Sequence, residues 1–469
     1  MQSSSPTKAA TLSRDSLYLD FTRSVCPVCL VLIDAEVLVR DNRVVMRKRC
    51  KDHGWFEALL SSDAEYYRWA MKFNKPGSLP LAFGSEVKDG CPYDCGLCPE
   101  HQQHTCLGII EVTENCNLRC PTCFANSSTG KSLSLEQVEF MLDSFVRYEG
   151  NPEVVQFSGG EPTIHPQILE MVRAARSRNI KTVMLNSNGI RIANDREFVA
   201  NLASLGVCVY LQFDGFKQST YETLRGEDLR EIKRRALDSL REYGVNTVLA
   251  CTVQRGVNED EYGAIVDYAL NQQFIRGVVF QPTFYAGRHP SFDPLDRVTL
   301  PDVLKGVASQ SKYGLLASDF FPIPCCYPNC SSASYVFFEN ETATPLTRIV
   351  NHEDYMDYFA NRAFPDSDSL TKRVNLESLY SASAVPGSEK VLESYCSVCD
   401  LSANNLSELA QKVKVILVQP FMDAWNFDVK RLMKCCVGEI TPAGKVIPFC
   451  AYNNIYRRGT QIGESSGAN

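Results

Sequence analysis

Two sets of three cysteines share the spacing CxxxCxxC between residues 91 and 123. The first set is Cys91, Cys95 and Cys98, and the second set is Cys116, Cys120 and Cys123. Thiolates at this spacing are usual ligands of iron–sulfur clusters. Cys106 can complete the first set as the fourth ligand of a closed 4Fe–4S cluster, whereas the second set has no nearby fourth cysteine. The second set therefore predicts a cluster with one iron open to a small chelating ligand.

Disulfide bonds do not explain the cysteine content of this chain. It has 20 cysteines in 469 residues, and residues 1–16 are small and polar, without the apolar stretch of an export signal. Because disulfides belong to oxidising compartments, we expect an intracellular, cytoplasmic protein whose cysteines bind metals, catalyse or fill the core. We expect residues 1–16 to form a disordered tail.

A second kind of metal site is predicted near the amino end. Cys26 and Cys29 precede an alternating apolar stretch with a turn at Asp41-Asn42, and Cys50 and His53 follow it. Two ligand pairs at the ends of a β-hairpin predict a four-coordinate site for zinc or for a single rubredoxin-like iron. Four protein ligands leave no open position, so we expect a structural role. The alternative is two unrelated pairs of buried side chains.

The last third of the chain holds eight more cysteines. We assign one further 4Fe–4S cluster there to Cys325, Cys330, Cys435 and Cys450. The competing ligands are Cys326, Cys436, Cys396 and Cys399. His101 and His104 stand between Cys98 and Cys106, and we expect them to face solvent rather than to replace a thiolate.

Strands and helices alternate from residue 108 to 284. Six short apolar stretches are separated by segments with apolar residues at i, i+3 and i+4, which predicts an α/β fold with a parallel sheet covered by helices. Polar residues follow several of these strands, and active sites form at such carboxyl ends. They are Gly159, Gly160, Glu161, Asn188, Gln212 and Asp214. Capping of turns is the alternative for any one of them.

Composition excludes some partners. The net charge of −7 and a pI of about 5.6 argue against binding nucleic acid through its phosphates. No run of 18 apolar residues is present, so we expect at most peripheral contact with a membrane.

The three-cysteine loop and the Gly-Gly-Glu turn that follows Cys123 by 36 residues resemble the radical S-adenosylmethionine (SAM) superfamily. One departure is Thr122, where that superfamily usually has an aromatic residue; here Phe124 follows the last cysteine. The resemblance implies a partial (β/α)6 barrel in which SAM chelates the open iron and yields a 5′-deoxyadenosyl radical. It also implies an electron donor such as ferredoxin or flavodoxin. The SAM ligands that it implies are Gly159, Gly160, Glu161, Asn188, Gln212, Asp214 and Arg225.

The order of the motifs along residues 20–455 resembles one family within that superfamily, the family of archaeal tetraether lipid synthase, whose members were earlier described as pterin-modifying methylases. The resemblance implies three 4Fe–4S clusters, one mononuclear metal and carbon–carbon bond formation between lipid chains. Three alternatives remain: a C-methylase of a pterin-like small molecule, a maturase of peptides or proteins, and an electron carrier. An electron carrier does not account for the open cysteine set followed by Gly-Gly-Glu.

We therefore predict a partial (β/α)6 barrel with a metal-binding β-hairpin module before it and an Fe–S cluster domain after it. The predicted order is a tail over 1–16, a metal hairpin over 17–60, an auxiliary cluster loop over 61–107, the barrel over 108–290, and a cluster domain over 291–469.

Overall fold

The computed structural model describes residues 16–324, 326–349, 351, 353 and 412–457. Three of the candidate ligands, Cys325, Cys396 and Cys399, lie outside the described residues, as does the predicted tail up to residue 15. Among the described residues, no helix is both long and apolar enough to cross a membrane.

An antiparallel sheet of four strands opens the described chain. Its strands pair in sequence order and are β1 (Leu17–Val25), β2 (Leu32–Arg40), β3 (Arg43–Cys50) and β4 (Gly54–Ser61). Asp41 and Asn42 join β2 to β3 with φ of 50° and 56°, a two-residue turn that matches the twist of the flanking strands. The predicted hairpin is confirmed, and we call this sheet the ribbon.

The ribbon is anchored on the carboxyl-terminal segment by buried polar contacts. Lys48 Nζ donates to Ser24 Oγ at 2.9 Å and to the Ala424 carbonyl at 2.7 Å. Thr22 Oγ1 donates to Asp428 Oδ1 at 2.7 Å. Because buried polar groups without partners destabilise a fold, these contacts fix the position of the ribbon on the carboxyl-terminal segment.

Six parallel strands follow, joined by helices as the sequence pattern predicts. The strands are β5 (Leu107–Thr113), β6 (Val154–Gly159), β7 (Thr182–Ser187), β8 (Cys208–Gln212), β9 (Thr247–Val253) and β10 (Ile275–Pro282). Helix α1 (Ala64–Met71) precedes β5. The helices that follow the strands are α2 (Leu135–Glu149), α3 (Ile168–Arg176), α4 (Ile190–Asn194), α5 (Arg196–Ser204), α6 (Gln218–Arg225), α7 (Arg230–Glu242), α8 (Tyr262–Leu270) and α9 (Leu300–Gln310).

The carboxyl-terminal region extends the same sheet at both edges. Its elements are β11 (Phe321–Pro322), β12 (Ser332–Glu339), β13 (Thr342–Pro345), β14 (Val413–Val418), α10 (Val429–Met433), β15 (Val437–Ile440) and β16 (Val446–Pro448). β14 pairs in parallel with β10, and β15 pairs in parallel with β5. Within the described residues, the six predicted parallel strands are therefore continued to eight, and the described strands of the predicted cluster domain belong to the barrel sheet.

Side chains on the inner face of the sheet alternate with those that pack under the helices. The outer layer is a large apolar core that includes Ile110, Phe157, Leu185 and Val266. The inner layer includes Val154, Met184, Tyr210, Ala250 and Val279. This period of two leaves the inner face to surround a cavity, at whose upper end the carboxyl ends of the strands meet.

Candidate active site

The three-cysteine loop leaves the carboxyl end of β5 and is held in place by Arg288, which follows β10. Cys123 and Arg288 exchange backbone hydrogen bonds of 2.8 and 2.9 Å. Arg288 Nε also donates to the Cys120 carbonyl at 2.7 Å. The segments that follow β5 and β10 are thereby joined at the barrel mouth, and Cys116, Cys120 and Cys123 all line the central cavity. Burial raises the pKa of Cys116 to about 11. Metal binding would displace the proton of this thiol.

The Gly-Gly-Glu turn is locked against the start of the cysteine loop. The Gly160 amide donates to the Thr113 carbonyl at 2.7 Å, and the Glu161 amide donates to the Asn115 carbonyl at 2.8 Å. A side chain at Gly160 would overlap the Asn115 carbonyl, so only glycine permits this approach of two backbones. The turn and the cysteine loop therefore form one rigid wall of the cavity.

Glu161 is buried, and its carboxylate is engaged by the protein. Oε2 accepts from the Asn188 amide at 2.7 Å, and Oε1 accepts from Ser187 Oγ at 2.9 Å and from Thr163. Burial raises the pKa of Glu161 above its ordinary value. The residue thus joins the ends of β6 and β7 and also reaches the cavity wall.

The structure separates the four remaining predicted SAM ligands into two groups. Asn188, Gln212 and Arg225 line the cavity, whereas Asp214 is fully buried behind Arg225. Arg225 Nε and Nη2 donate to the two oxygens of Asp214, each at 2.7 Å. Asp214 therefore orients Arg225, and the direct contact with SAM that the resemblance implies for Asp214 stays a prediction.

One residue that the sequence did not single out connects this group. Lys233 in α7 is 1% exposed, and its Nζ donates to the Asn188 carbonyl at 2.7 Å and to Gln212 Oε1 at 3.2 Å. Burial lowers the pKa of Lys233 to about 7. The surrounding run REIKRR resembles a solvated basic face, and only the apolar spacing i, i+4, i+8 of Ile232, Ala236 and Leu240 indicates that this side faces inward.

The central cavity has a volume of about 250 Å³ and runs along the strands. Its upper end carries the three-cysteine loop and the Gly-Gly-Glu turn. Below them lies a layer of amide side chains: Gln156, Asn186, Gln281 and Gln419. The lower end is apolar and is lined by Leu107, Val154, Met184, Val279 and Leu417. The sequence could have predicted the amide layer, since Gln281 and Gln419 lie at the carboxyl ends of strands β10 and β14.

Aromatic side chains close one side of the cavity. Phe124 and Phe284 lie with ring centroids 5.3 Å apart, and Phe421 and Phe449 lie 4.3 Å apart. All four contribute to the cavity wall. Such a wall keeps water away from that side of the cavity. Phe124, which follows Cys123, and Thr122, which precedes it, both line the cavity.

The ribbon brings its four predicted ligands together. Cys26, Cys29, Cys50 and His53 offer ligand atoms that lie within 4.8 Å of one another. Cys29 Sγ and Cys50 Sγ are 3.8 Å apart, and His53 Nδ1 is 3.4 Å from Cys50 Sγ. Hydrogen bonds from the backbone near Asp52 lower the pKa of Cys50 to about 6, which suits a thiolate ligand. The spacing fits a tetrahedral mononuclear metal, and the donor set suits zinc or iron.

The auxiliary cysteines are grouped differently from the sequence expectation. Cys91, Cys95 and Cys98 remain together, and a hydrogen bond with Cys91 raises the pKa of Cys95. Cys106 is not beside them, because β5 begins at Leu107 and carries Cys106 to the lower end of the barrel cavity. There it packs in one apolar cluster with Cys326, Cys330 and Cys436. The expectation that Cys106 completes the first set is therefore revised.

Three cysteines of the assigned carboxyl-terminal set lie close together. Cys330, Cys435 and Cys450 are neighbours, and burial together with the nearby Cys330 thiol raises the pKa of Cys435 to about 12. Arg431 Nε donates to Cys330 Sγ at 3.2 Å. Cys325, the fourth member of the assigned set, lies outside the described residues.

The two histidines between the cysteines are not solvent-facing as expected. His101 is buried and bonds to the Cys435 carbonyl at 2.9 Å, and burial lowers its pKa to about 4. His104 bonds to Glu149 Oε2 at 3.1 Å and lies 3.5 Å from Cys106 Sγ. Both histidines therefore link the cysteine loops to the barrel.

Two protein families match the chain. The Radical SAM superfamily matches residues 110–269, and the HMPTM N-terminal zinc ribbon domain matches residues 18–62. The first match spans the three-cysteine loop and the Gly-Gly-Glu turn, and the second spans the ribbon with its four metal ligands. The ribbon match supports a mononuclear metal there.

Similar proteins are found among archaeal enzymes and among solved structures. The "7,8-dihydro-6-hydroxymethylpterin dimethyltransferase" of Methanocaldococcus jannaschii is 34% identical over 93% of this chain and 94% of its own length. The "Fe-coproporphyrin III synthase" of Methanosarcina barkeri is 31% identical over 38% of this chain and 44% of its own length. Streptococcus suis SuiB bound to precursor peptide SuiA aligns with 39% of this chain and 40% of that chain, at 17% identity and a TM-score of 0.34. The chain is thus a radical SAM enzyme and belongs to the same family as the Methanocaldococcus jannaschii relative.

Proposed function

We propose that this enzyme is a radical SAM C-methylase that acts on a pterin-like small molecule. The observation that carries the proposal is the amide layer, which lies in the same cavity as the three-cysteine loop. The full-length relative in Methanocaldococcus jannaschii, whose name specifies a dihydropterin, supports the same substrate class.

The amide layer suits the edge of a pterin ring. A pterin presents neighbouring hydrogen-bond donors and acceptors, and each glutamine or asparagine amide can both donate and accept. Gln281 Nε2 donates to Tyr210 Oη at 2.9 Å, and Asn186 Nδ2 donates to Ser158 Oγ at 3.2 Å. These bonds orient Gln281 and Asn186, so that their carbonyl oxygens remain available as acceptors.

The chain's own residues would hold the cofactors and shield the chemistry. The three cysteines of the loop would hold a 4Fe–4S cluster, which with SAM supplies a 5′-deoxyadenosyl radical when bound. Arg225 presents a cation to the cavity, where it could pair with the SAM carboxylate. The phenylalanine wall excludes water from the carbon atom that loses hydrogen. The reductant that we propose is a small electron carrier such as ferredoxin or flavodoxin.

A second candidate substrate is an alkyl chain, and a specific observation favours it. The lower end of the same cavity is lined by the apolar side chains of Val154, Met184, Val279 and Leu417. An unactivated alkyl terminus would be stabilised there by burial of apolar surface. In this reading the enzyme joins two lipid carbons.

Labelled SAM distinguishes the two candidates. The enzyme is reconstituted anaerobically with iron, sulfide, dithionite and SAM carrying an isotopically labelled methyl group. It is then supplied with 7,8-dihydro-6-hydroxymethylpterin or with a dialkyl lipid. Label in the pterin together with 5′-deoxyadenosine supports methylation, and an unlabelled coupled lipid supports the second candidate. If neither substrate increases 5′-deoxyadenosine, both substrate proposals fail.

A paired substitution sharpens the result. Gln281→Leu removes a hydrogen-bonding group from the amide layer, and Val279→Ala enlarges the apolar end two residues earlier on the same strand. Pterin methylation predicts that Gln281→Leu is the more damaging change. Lipid coupling predicts the reverse order.

A further inference from the structure

Gln156 presents its side-chain amide to the central cavity. The residue is 6% exposed and lines the cavity from the inner face of β6. Among the described residues, none forms a hydrogen bond with the Gln156 side chain. Buried polar groups of folded proteins are nearly always hydrogen-bonded, so an amide left open toward a cavity indicates that a bound molecule completes it.

The Tyr210 hydroxyl presents a second open group to the same cavity. It accepts from Gln281 Nε2 at 2.9 Å, and no described residue accepts the proton of the hydroxyl in turn. Burial raises the pKa of Tyr210 above its ordinary value, so the hydroxyl keeps that proton. Tyr210 is therefore a hydrogen-bond donor at the cavity, beside the side-chain oxygen of Gln281, which is an acceptor.

The inner face of the sheet fixes the position of this donor and acceptor. Tyr210 of β8 reaches Gln281 of β10 across β9, where Ala250 pairs with Gln212 on one side and with Val279 on the other. Tyr210 and Ala250 belong to one apolar cluster, and the small Ala250 side chain leaves room for the Tyr210 ring. The donor and the acceptor therefore keep a fixed spacing at the cavity wall.

Gln156 and the Tyr210–Gln281 pair approach the cavity from different sides. The strands β6 and β10 are separated by β7, β8 and β9 in the sheet, and both contribute to the cavity wall. A flat ring with hydrogen-bonding groups on two edges can meet both at once. An alkyl chain would leave both open, which is unfavourable because the groups lose water without gaining a partner.

We propose that Gln156 and Tyr210 bind two edges of the substrate ring and thereby determine which carbon atom of the ring system faces the three-cysteine loop. The inference rests on the proposed function, since it takes the substrate to be a pterin-like ring. A pterin carries an amino group and a carbonyl oxygen on its pyrimidine ring and further nitrogens on its second ring. These groups suit an amide on one side of the cavity and a donor–acceptor pair on the other.

Binding of 7,8-dihydro-6-hydroxymethylpterin tests the proposal. The full chain is reconstituted anaerobically with iron, sulfide and SAM but without a reductant, so that the pterin binds without turnover. Dissociation constants are measured for the unsubstituted enzyme, for Gln156→Met and for Tyr210→Phe. Tyr262→Phe is the matched control, because Tyr262 is also buried but packs in the apolar core under the helices.

Both substitutions at the cavity should weaken pterin binding by about 10-fold or more, because each leaves a group of the pterin without its partner. Tyr262→Phe should leave the dissociation constant unchanged, and the affinity for SAM should be the same in all four proteins. With dithionite added, Gln156→Met and Tyr210→Phe should form more 5′-deoxyadenosine per methylated pterin than the unsubstituted enzyme. A ring that has lost one of its two contacts presents its reacting carbon less accurately.

The inference and the proposed function fail in different ways. If the unsubstituted enzyme binds and methylates the pterin while Gln156→Met and Tyr210→Phe bind it equally well, the inference is overturned and the proposed function stands. Equal weakening in Tyr262→Phe also overturns the inference. If the unsubstituted enzyme does not bind the pterin, both are overturned. Iron content and circular dichroism show whether each variant is folded. Gln156→Asn, whose amide is withdrawn by one methylene, should weaken binding likewise and replaces Gln156→Met if that variant does not fold.

Discussion

Arg225 and Asp214 form a buried ion pair directly beneath the three-cysteine loop, with both contacts at 2.7 Å. Asp214 is fully buried and Arg225 is 7% exposed. Oδ1 of Asp214 also accepts from the Thr252 amide at 3.0 Å. This geometry connects the ends of β8 and β9 and directs the guanidinium toward Cys120 and the cavity.

Replacing Asp214 with asparagine should destabilise the protein strongly. The substitution leaves Arg225 as a buried charge without its counterion, for which a loss of about 3–5 kcal/mol in unfolding free energy is expected. SAM affinity should fall too, because the guanidinium loses its orientation. Urea unfolding and SAM titration of the reconstituted enzyme measure the two effects.

Asp238→Asn is the matched control for that change. Asp238 pairs with Arg241 at 2.6 Å on the exposed side of α7, where solvent screens the charges. An effect below about 1 kcal/mol is expected there. Equal effects of the two substitutions would contradict the importance given to burial of the Arg225–Asp214 pair.

Gly160→Ala should disable the site with little effect elsewhere. The new methyl group would overlap the Asn115 carbonyl and push the turn away from the cysteine loop. A displacement of this kind should lower the rate of 5′-deoxyadenosine formation by about 100-fold. The rate is measured with SAM and dithionite after iron content has been matched to the unsubstituted enzyme.

Gly244→Ala is the control that separates the effect of steric overlap on the reaction rate from the effect of backbone strain. Gly244 has a φ of +64° and open space around the position of a Cβ. Alanine there should destabilise the fold by roughly 1–2 kcal/mol and leave the reaction rate unchanged. A normal rate in Gly160→Ala would show that the turn does not need its close contact with the loop.

Local patterns in the sequence predicted the ribbon correctly because its strands and its candidate ligands are close along the chain. Cys26, Cys29, Cys50 and His53 lie within one hairpin, and the turn at Asp41-Asn42 determines its register. The strands β5 to β10 were predicted for the same reason, since each is followed by its own helix.

Long-range pairing accounts for what the sequence did not reveal. The grouping of Cys106 with Cys436 depends on β15, a four-residue strand that pairs with β5 across more than 300 positions. No pattern near either cysteine specifies that partner. Lys233 was missed because its neighbours are charged and exposed, and only the folded position of Asn188 shows what its side chain binds.

Removal of the ribbon metal should unfold the ribbon and spare the barrel. The ribbon is a separate sheet, and in small metal sites much of the folding free energy comes from metal binding. Cys50→Ala should lose one metal ion per chain and make residues 17–61 sensitive to protease. Cluster iron should be retained. Elemental analysis and limited proteolysis measure both, with Cys208→Ala as control, and loss of the barrel clusters would contradict this independence.

The stability of the fold should increase with pH above neutrality because of Lys414. This residue of β14 is 4% exposed and donates to the carbonyls of Ala269 and Ile275 at 3.0 and 2.8 Å. Burial lowers its pKa to about 7 from an ordinary value of 10.5. Between these two pH values the unfolded chain keeps a proton that the folded chain releases, so stability rises by up to about 1.4 kcal/mol per pH unit. Below pH 7 both states are protonated and the effect is constant.

Urea unfolding midpoints from pH 6 to 9.5 should therefore rise more steeply for the unsubstituted protein than for Lys414→Met, which has no titrating group there. Parallel curves for the two proteins would contradict the shifted pKa of Lys414.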